Sequence, residues 1–383
     1  MHIVADENIP LLGAFVEGLG TVERANGRRL TRSQLMNADA LLVRSVTSVN
    51  ESLLAGTPVR FVGTATIGTD HVDIPWLERQ GIAFASAPGC NASSVVQYVL
   101  GVISLYLRRC QREGFEGLTV GVVGAGNVGG ALVGRLQALG ARVRVSDPPR
   151  QSAGAGLPFA SLEQVLACDV VSLHTPLTTT GECPTHHLLN SDRLASLGPN
   201  QLLINSGRGA VIDNRALLAR LGGTQSPTVA LDVWEHEPEP LTELLDHCWL
   251  ATPHIAGYSL EGKCRGTEMV ARALHLWLGR QLPLTTEELL PEPPVTAMAF
   301  APDIEPVEAV HRALMACYDP RDDDARLRRA VDQASAGGLA LGQAFDGLRR
   351  NYPVRREPGS LKIQSTPGSD GGRLLAAAGF QIS

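Results

Sequence analysis

The stretch that decides the fold is TVGVVGAGNVGGALVGRLQALG, residues 119–140. Its short apolar run predicts a strand, the hexapeptide GAGNVG (124–129) follows, and an amphipathic pattern then predicts a helix. G-x-G-x-x-G alone is weak in a chain with 40 glycines, but between a strand and a helix it predicts a dinucleotide-binding turn. The helix N-terminus offers unpaired N–H groups to phosphates. We therefore expect a cofactor site made by Gly124, Gly126, Asn127, Val128 and Gly129.

The next strand, ARVRVSD (141–147), ends at Asp147, 18 residues after Gly129. A carboxylate at this place accepts hydrogen bonds from both ribose hydroxyls and repels a 2′-phosphate, which favours NAD over NADP. Two alternatives stay open. Asp147 could simply cap a turn or helix before Pro148, and Arg150 could accept a 2′-phosphate.

The strand pattern extends outward from this turn on both sides. Short apolar runs at 2–5, 40–44, 60–63 and 82–86 precede it, and runs at 169–175, 201–207, 228–234 and 249–254 follow, with helical patterns between them. Strands that alternate with helices predict parallel sheets covered by helices on both faces. The expected fold class is α/β, with two doubly wound Rossmann-like domains, in a chain of 383 residues.

The composition changes after residue 281. Residues 282–306 are rich in proline, and 307–350 are mostly helical in pattern. The acidic run 322–324 is expected to be a solvated helix start rather than a metal site. Residues 286–383 carry no obvious catalytic cluster, so a small C-terminal α+β domain that forms a homodimer interface is expected.

Charge and cysteine usage exclude several classes of function. The net charge is −6 and the sequence pI about 5.9, and no basic run predicts a nucleic-acid surface. No apolar stretch has the length of a membrane span, and the N-terminus lacks the pattern of a signal peptide. The seven scattered cysteines are typical of reduced thiols. We expect a cytoplasmic protein without a metal site.

Three motifs at predicted strand ends carry candidate chemistry: INSGRG (204–209), ALDVWEHEP (230–238) and ATPHIAGYS (251–259). Oxidation of a hydroxyl-bearing carbon needs a base, a cation that holds a carboxylate, and an acid that orients the base. His254, Arg208 and Glu237 supply one of each. The alternatives are a surface salt bridge for Arg208 and an ordinary polar loop residue for His254.

Together with VRSVTSV (43–49) and GVVGAGNVG (121–129), these motifs resemble the D-isomer-specific 2-hydroxyacid dehydrogenase family, in its order and spacing across residues 1–280. The resemblance implies catalytic roles for Arg208, Glu237 and His254. It also implies an NAD-binding domain, residues 94–255, inserted in a substrate-binding domain made of 1–93 and 256–285, with a dimerisation domain at 286–383. Further cofactor contacts implied by the family pattern are His174, Thr175, Ser206, Gly207, Arg208, Asp232 (to the nicotinamide carboxamide) and Gly257.

Some segments depart from the common family pattern, among them GTATIGTDHVD (63–73) and YPVRRE (352–357). Together with the extra C-terminal region, they resemble a branch of the family that acts on a four-carbon 2-hydroxy acid with a terminal phosphate, and this resemblance implies such a substrate. Ser45, Thr66 and Tyr258 are the candidate substrate contacts. A 3-phosphoglycerate dehydrogenase, or another dehydrogenase of the family, is the enzymatic alternative, and an NAD-sensing corepressor is the non-enzymatic one.

Overall fold

The computed structural model describes residues 1–365 and 368–383, which form two compact units. The first unit consists of Met1–Asn91 and Ser259–Glu292, and the second of Ala92–Tyr258 and Pro293–Ser383. Among the described residues, no helix is both long and apolar enough to cross a membrane. The predicted three-domain boundaries stay a prediction. In the structure, residues 293–383 belong to the same compact unit as 92–258.

The regular elements alternate along most of the chain. The strands are β1 (His2–Asp6), β2 (Thr21–Ala25), β3 (Ala40–Val43), β4 (Phe61–Thr64), β5 (Ala83–Ala85), β6 (Thr119–Val123), β7 (Arg142–Ser146), β8 (Val170–Leu173), β9 (Leu202–Asn205), β10 (Thr228–Leu231), β11 (Leu250–Ala251), β12 (Ala297–Ala299), β13 (Lys362–Ser365) and β14 (Gln381–Ile382). The α-helices are α1 (Leu12–Phe15), α2 (Glu51–Leu54), α3 (Ile74–Arg79), α4 (Ala92–Arg109), α5 (Asn127–Ala138), α6 (Pro148–Ser152), α7 (Leu162–Leu166), α8 (Ser191–Ala195), α9 (Asn214–Leu221), α10 (Thr242–His247), α11 (Leu260–Trp277), α12 (Thr286–Leu289), α13 (Pro306–Cys317), α14 (Pro320–Ser335), α15 (Leu341–Arg350) and α16 (Gly368–Ala378).

The first unit is built on a five-stranded parallel sheet in the order β2-β1-β3-β4-β5. Helix α11 packs on this sheet where Gly63 has no side chain, since a Cβ there would lie 2.3 Å from Cγ1 of Val270. Strand β2 was not predicted. It is an edge strand with mostly exposed or half-exposed residues, so it has no apolar run that marks it in the sequence.

The second unit contains a six-stranded parallel sheet in the order β11-β10-β9-β8-β6-β7. Strands β8 and β9 are buried along their whole length, as strands covered by helices on both faces should be. The order reverses between β6 and β8, which is where open α/β sheets bind ligands beyond the carboxyl ends of their strands. The predicted α/β class with two Rossmann-like sheets is confirmed.

The C-terminal residues form a small three-stranded parallel sheet, β12-β13-β14, with four helices. Ile363 and Leu375 share one hydrophobic core with Val102 and Ile103 of α4. The acidic run lies at the start of α14, as predicted, but it is not uniformly solvated. Asp323 is buried because Tyr318 and Tyr352 cover it and donate hydrogen bonds to its carboxylate. Tyr318 precedes Asp323 by five residues and Tyr352 follows it by 29, and the acidic run itself does not indicate either contact.

Candidate active site

The predicted cofactor and catalytic residues of the second unit follow the carboxyl ends of its parallel strands. Because neighbouring parallel strands end on the same edge of a sheet, the residues after them lie side by side. The residues are Gly124 after β6, Asp147 after β7, His174 and Thr175 after β8, Ser206, Gly207 and Arg208 after β9, Asp232 and Glu237 after β10, and His254 and Gly257 after β11.

Each of the three glycines in the G-x-G-x-x-G turn occupies its position for a different structural reason. Gly124 has a φ of +83°, and a Cβ there would lie 2.9 Å from the backbone nitrogen of Thr175. A Cβ on Gly129 would lie 2.0 Å from the carbonyl oxygen of Gly124, so the start of α5 packs directly on the turn. A Cβ on Gly126 would meet no atom within 4 Å. Gly126 therefore borders open space at the helix N-terminus, where a pyrophosphate would bind.

Asp147 links the glycine turn to the following helix. Its Oδ2 accepts a hydrogen bond from the Ala125 nitrogen at 2.7 Å, and its Oδ1 caps α6 by accepting one from the Arg150 nitrogen at 3.0 Å. Arg150 in turn donates from Nη1 to the Ala125 carbonyl at 2.5 Å. The helix-cap alternative is thus present in the structure. Each carboxylate oxygen retains a second lone pair, so ribose binding by Asp147 stays a prediction.

Beside the turn, β8 ends in a neutral histidine and an unsatisfied threonine. Burial lowers the pKa of His174 to about 4, and its ring nitrogens lie 2.8 Å from Ser172 Oγ and 3.4 Å from Ser206 Oγ. Within the described part of the chain, Thr175 Oγ1 is buried without a hydrogen-bond partner. Because a buried hydroxyl normally has a partner, this atom indicates a ligand contact next to Gly124. These features fit a bound dinucleotide.

His254 and Glu237 form a hydrogen-bonded pair. His254 Nδ1 lies 2.7 Å from Glu237 Oε2, and Glu237 Oε1 accepts a hydrogen bond from the Trp234 nitrogen at 2.9 Å. Burial opposes ionisation of Glu237, but contact with His254 outweighs it and the pKa of Glu237 is lowered. The carboxylate therefore accepts a hydrogen bond from Nδ1–H, and Nε2 is the ring nitrogen that can exchange a proton with a ligand.

The backbone that carries His254 is held by Asp232, which is 1% exposed. Oδ1 of Asp232 accepts a hydrogen bond from the Ile255 nitrogen at 2.8 Å, and Oδ2 accepts one from the Ala256 nitrogen at 2.9 Å. The Asp232 carbonyl also accepts a hydrogen bond from the His254 nitrogen. These bonds stabilise the φ of +56° at His254, a conformation that costs free energy in a non-glycine residue. Asp232 thus has a structural role, and its predicted carboxamide contact stays a prediction.

The loop of Arg208 packs against the loop of Glu237. Gly209 permits this contact, because a Cβ there would lie 1.9 Å from the backbone carbon of Trp234. Arg208 donates from Nη1 to the Gly207 carbonyl at 2.9 Å, while the Asn205 side chain donates to the Arg208 carbonyl at 3.0 Å. The predicted cation and the predicted His–Glu pair are therefore carried by neighbouring, packed loops.

The first unit carries two of the predicted substrate contacts. Ser45 is exposed after β3, and Thr66 follows the neighbouring strand β4. The Thr66 hydroxyl donates to the Gly68 carbonyl at 3.0 Å and lies 2.7 Å from Thr64 Oγ1, which is 3.0 Å from His71 Nε2. His71, which the sequence analysis did not single out, therefore belongs to the network that orients Thr66.

The third predicted substrate contact, Tyr258, is bonded to an arginine that the sequence analysis also missed. Arg349 of α15 donates from Nε to the Tyr258 hydroxyl oxygen at 3.2 Å. The two residues are 91 positions apart in sequence, so no local motif could indicate the contact.

Among the residues that the structure describes, one group of side chains has ligand atoms close enough to hold a metal ion: His186, His187 and Glu235, within 4.8 Å of one another. His187 Nε2 already lies 2.7 Å from Glu235 Oε1, and Glu235 Oε2 accepts a hydrogen bond from the Asn214 nitrogen at 2.8 Å. The arrangement forms a second His–carboxylate pair next to the first. The predicted lack of a metal site stays a prediction.

Comparison with known proteins identifies similar families and relatives. Residues 106–256 match the family model for the NAD-binding domain of D-isomer specific 2-hydroxyacid dehydrogenases, and residues 289–379 match a domain of unknown function. The chain is 56% identical over 366 residues to erythronate-4-phosphate dehydrogenase of Marinobacter nauticus, covering 95% of this chain and 94% of the relative. It is 48% identical over 383 residues to the Pseudomonas aeruginosa protein of that name, covering both in full. The crystal structure of the TT0316 protein from Thermus thermophilus is similar with a TM-score of 0.61 and 27% identity, over 74% of this chain and 99% of that one.

Proposed function

The chain belongs to the erythronate-4-phosphate dehydrogenases of the D-isomer-specific 2-hydroxyacid dehydrogenase family, and from this premise we propose that Arg208, Glu237 and His254 are its catalytic residues. The family predicted from the sequence motifs is thereby confirmed. The reaction is the NAD-dependent oxidation of 4-phospho-D-erythronate to 2-oxo-3-hydroxy-4-phosphobutanoate, a step of pyridoxal 5′-phosphate biosynthesis. The observation that carries the proposed roles is the 2.7 Å contact between His254 Nδ1 and Glu237 Oε2.

His254 is the proposed acid–base. With its Nδ1 proton directed at Glu237, the neutral ring presents the lone pair of Nε2 to the substrate 2-hydroxyl. As the C2–H bond breaks, the hydroxyl proton passes to Nε2, and the ring becomes an imidazolium. The Glu237 carboxylate stabilises this cation, and the Trp234 N–H keeps the carboxylate in place.

Arg208 is the proposed carboxylate-binding residue. Its planar guanidinium can hold the substrate C1 carboxylate with two parallel hydrogen bonds, which fixes C2 relative to His254. The packing of Gly209 on Trp234 supports this role, because it restricts movement of the Arg208 loop relative to Glu237. Ser45, Thr66 and Tyr258 are the further substrate contacts that we propose, each through a hydroxyl group.

NAD, when bound, supplies the hydride acceptor. We propose that its pyrophosphate lies over the turn made by Gly124, Gly126, Asn127, Val128 and Gly129, and that Asp147 accepts hydrogen bonds from its ribose. The buried hydroxyl of Thr175 and the open space at Gly126 support this placement. The remaining proposed contacts are His174, Ser206, Gly207, Arg208, Asp232 and Gly257.

The proposed assembly is a homodimer through residues 286–383, in the cytoplasm. The hydrophobic core that α13 and α16 share with α4 fixes residues 293–383 in the second unit, so they present a defined surface to a partner. Sedimentation velocity of the full chain tests the assembly. A monomer at micromolar concentration would contradict it.

The catalytic proposal is tested by the increase of NADH absorbance with NAD and 4-phospho-D-erythronate. We expect His254→Ala to lower kcat at least about 100-fold, as loss of a general acid–base group does. Turnover of 3-phosphoglycerate is measured in parallel, and a preference for that acid would replace the proposed substrate. A His254→Ala enzyme with turnover close to wild type would remove His254 from the mechanism.

A further inference from the structure

A short segment of the C-terminal region contacts the loop that carries His254. We define the catalytic loop as residues 252–258 and the clamp segment as residues 349–357, RRNYPVRRE. Both belong to the second unit. Three residues of the clamp segment, spaced three apart, contact this loop: Arg349, Tyr352 and Arg355.

Arg355 holds the backbone of the catalytic loop. Its side chain is 5% exposed, and its guanidinium donates to the carbonyls of Ile255 and Ala256. Asp232 accepts hydrogen bonds from the N–H groups of the same two residues. The segment directly after His254 is therefore held at both its donors and its acceptors, by one cation and one anion.

Arg349 and Tyr352 hold the side chain of Tyr258. Arg349 donates from Nε to the Tyr258 oxygen at 3.2 Å, and the Tyr352 ring meets the Tyr258 ring edge-on, with centroids 5.6 Å apart. A guanidinium has donors only, so the tyrosine oxygen is the acceptor in this bond and its own proton must point elsewhere. Tyr258 is thereby oriented to act as a donor.

Charge links Arg349 to the His–Glu pair as well. Burial raises the pKa of Glu237, while the contact with His254 and, more weakly, the positive charge of Arg349 lower it. Arg349 therefore favours the ionised carboxylate that the imidazole needs as partner.

The clamp segment is itself anchored by buried polar contacts. The Tyr352 and Tyr318 hydroxyls both donate to Oδ2 of Asp323, at 2.7 and 2.9 Å, and Arg355 lies 4.1 Å from the centroid of the Tyr318 ring. Buried charges of this kind seldom stabilise a fold more than apolar residues of the same size would. These contacts fix the clamp segment to Asp323 and to the Tyr318 ring.

We propose that three residues of the clamp segment, Arg349, Tyr352 and Arg355, position the active site of the same chain: Arg355 fixes the backbone after His254, and Arg349 directs the Tyr258 hydroxyl proton toward the substrate. This role rests on the proposed function of His254 and Tyr258. It gives the region that matches a domain of unknown function a task besides dimerisation.

The test compares Arg349→Gln with Arg350→Gln, the same change at the adjacent, exposed residue. For Arg349→Gln we expect the KM for 4-phospho-D-erythronate to rise about tenfold, the loss typical of a hydrogen bond to a charged group. The Kd for NAD should stay within about twofold, since the pair lies on the substrate side of the proposed site. Arg350→Gln should match the wild type.

A double-mutant cycle separates positioning from general stability. Because Arg349 is proposed to act through the Tyr258 hydroxyl, Arg349→Gln should raise KM less than about twofold further in a Tyr258→Phe background. Arg349→Lys keeps the charge and the stem, and the same coupling is expected for it if the glutamine variant melts early. The inference would be overturned, with the proposed function left intact, if Arg349→Gln raised KM by the full tenfold in both the wild-type and the Tyr258→Phe backgrounds. Equal kinetics of the Arg349 and Arg350 variants would have the same consequence. A wild-type enzyme without turnover of 4-phospho-D-erythronate would overturn the proposed function, and the inference with it.

Discussion

Glu237→Gln tests the His–Glu pair with a change of charge but almost none of shape. In the structure one Glu237 oxygen faces the Trp234 N–H and the other faces His254 Nδ1. The backbone N–H can only donate, so the carbonyl oxygen of the new amide must turn to Trp234 and its NH₂ group to His254. Nδ1 then has to accept a hydrogen bond, and the ring proton moves to Nε2. The variant would thus hold the imidazole in the tautomer that cannot act as a base.

The loss of charge can be estimated separately. The contacting atoms are 2.7 Å apart, so the centres of the imidazolium and carboxylate charges lie about 4 Å apart. At an effective dielectric constant of about 20, the attraction between these two charges is about 4 kcal/mol. The His254 side chain is 34% exposed, so water reduces this to about 3 kcal/mol. That free energy corresponds to about 100-fold in rate. With the wrong tautomer added, kcat should fall by a factor of about 10² to 10³.

The assay is steady-state NADH formation from 4-phospho-D-erythronate, with the Kd for NAD measured by titration. Glu235→Gln is the matched control, since Glu235 makes the same 2.7 Å contact with a different histidine, His187. We expect the control to retain kcat within about fivefold of wild type, because His187 has no proposed role in proton transfer. The reasoning fails if Glu237→Gln keeps kcat within about tenfold of wild type, or if both variants lose the same factor.

Two further predictions concern the cofactor side of the site. Gly126→Ala should keep the melting temperature, because the added methyl group meets no protein atom within 4 Å. It should raise the Kd for NAD at least about tenfold, because the methyl group fills the space proposed for the pyrophosphate. The control is Gly134→Ala, a site that is equally open and lies within the helix that Gly126 precedes, and this variant should leave NAD binding unchanged. The pKa of His174 is lowered to about 4 by burial, so between that pH and about 6.5 the unfolded chain binds a proton that the folded chain does not, and stability rises with pH. In urea unfolding, the unfolding free energy of the wild type minus that of His174→Asn should fall by up to about 2 kcal/mol from about pH 7 to about pH 5. If this difference between the two proteins does not change with pH, the lowered pKa assigned to His174 is contradicted.

The proposed catalytic residues could be placed near one another from the sequence because they follow strand ends, where local sequence and topology agree. A buried parallel strand is visible as an apolar run, and everything that follows such runs must gather at one edge of the sheet. Arg208, Glu237 and His254 each follow one of three neighbouring strands, β9, β10 and β11. The sequence therefore indicated their proximity without any knowledge of distances.

Other features were not predictable, because their determinants are distant in the chain or invisible as a pattern. Strand β2 lies at an edge, so exposure removes the apolar signal. Asp323 resembles any solvated acid in an acidic run, and only the fold shows that two tyrosines cover it. Asp232 matched a cofactor-contacting position, but nothing in its motif indicates that its oxygens also hold the backbone of Ile255 and Ala256.

The catalytic loop contains both a feature that the sequence predicts and a feature that only the fold shows. His254 can be found from its strand, yet its left-handed backbone is unfavourable without external support. Asp232 supplies that support from within the dinucleotide fold, and Arg355 supplies it from a position 100 residues beyond Ile255 in the chain. A dinucleotide fold without the C-terminal region would therefore contain the proposed catalytic residues but lack Arg355, one of the groups that hold the loop of His254. If His254 has the proposed role, the C-terminal region contributes to the active site by holding this loop.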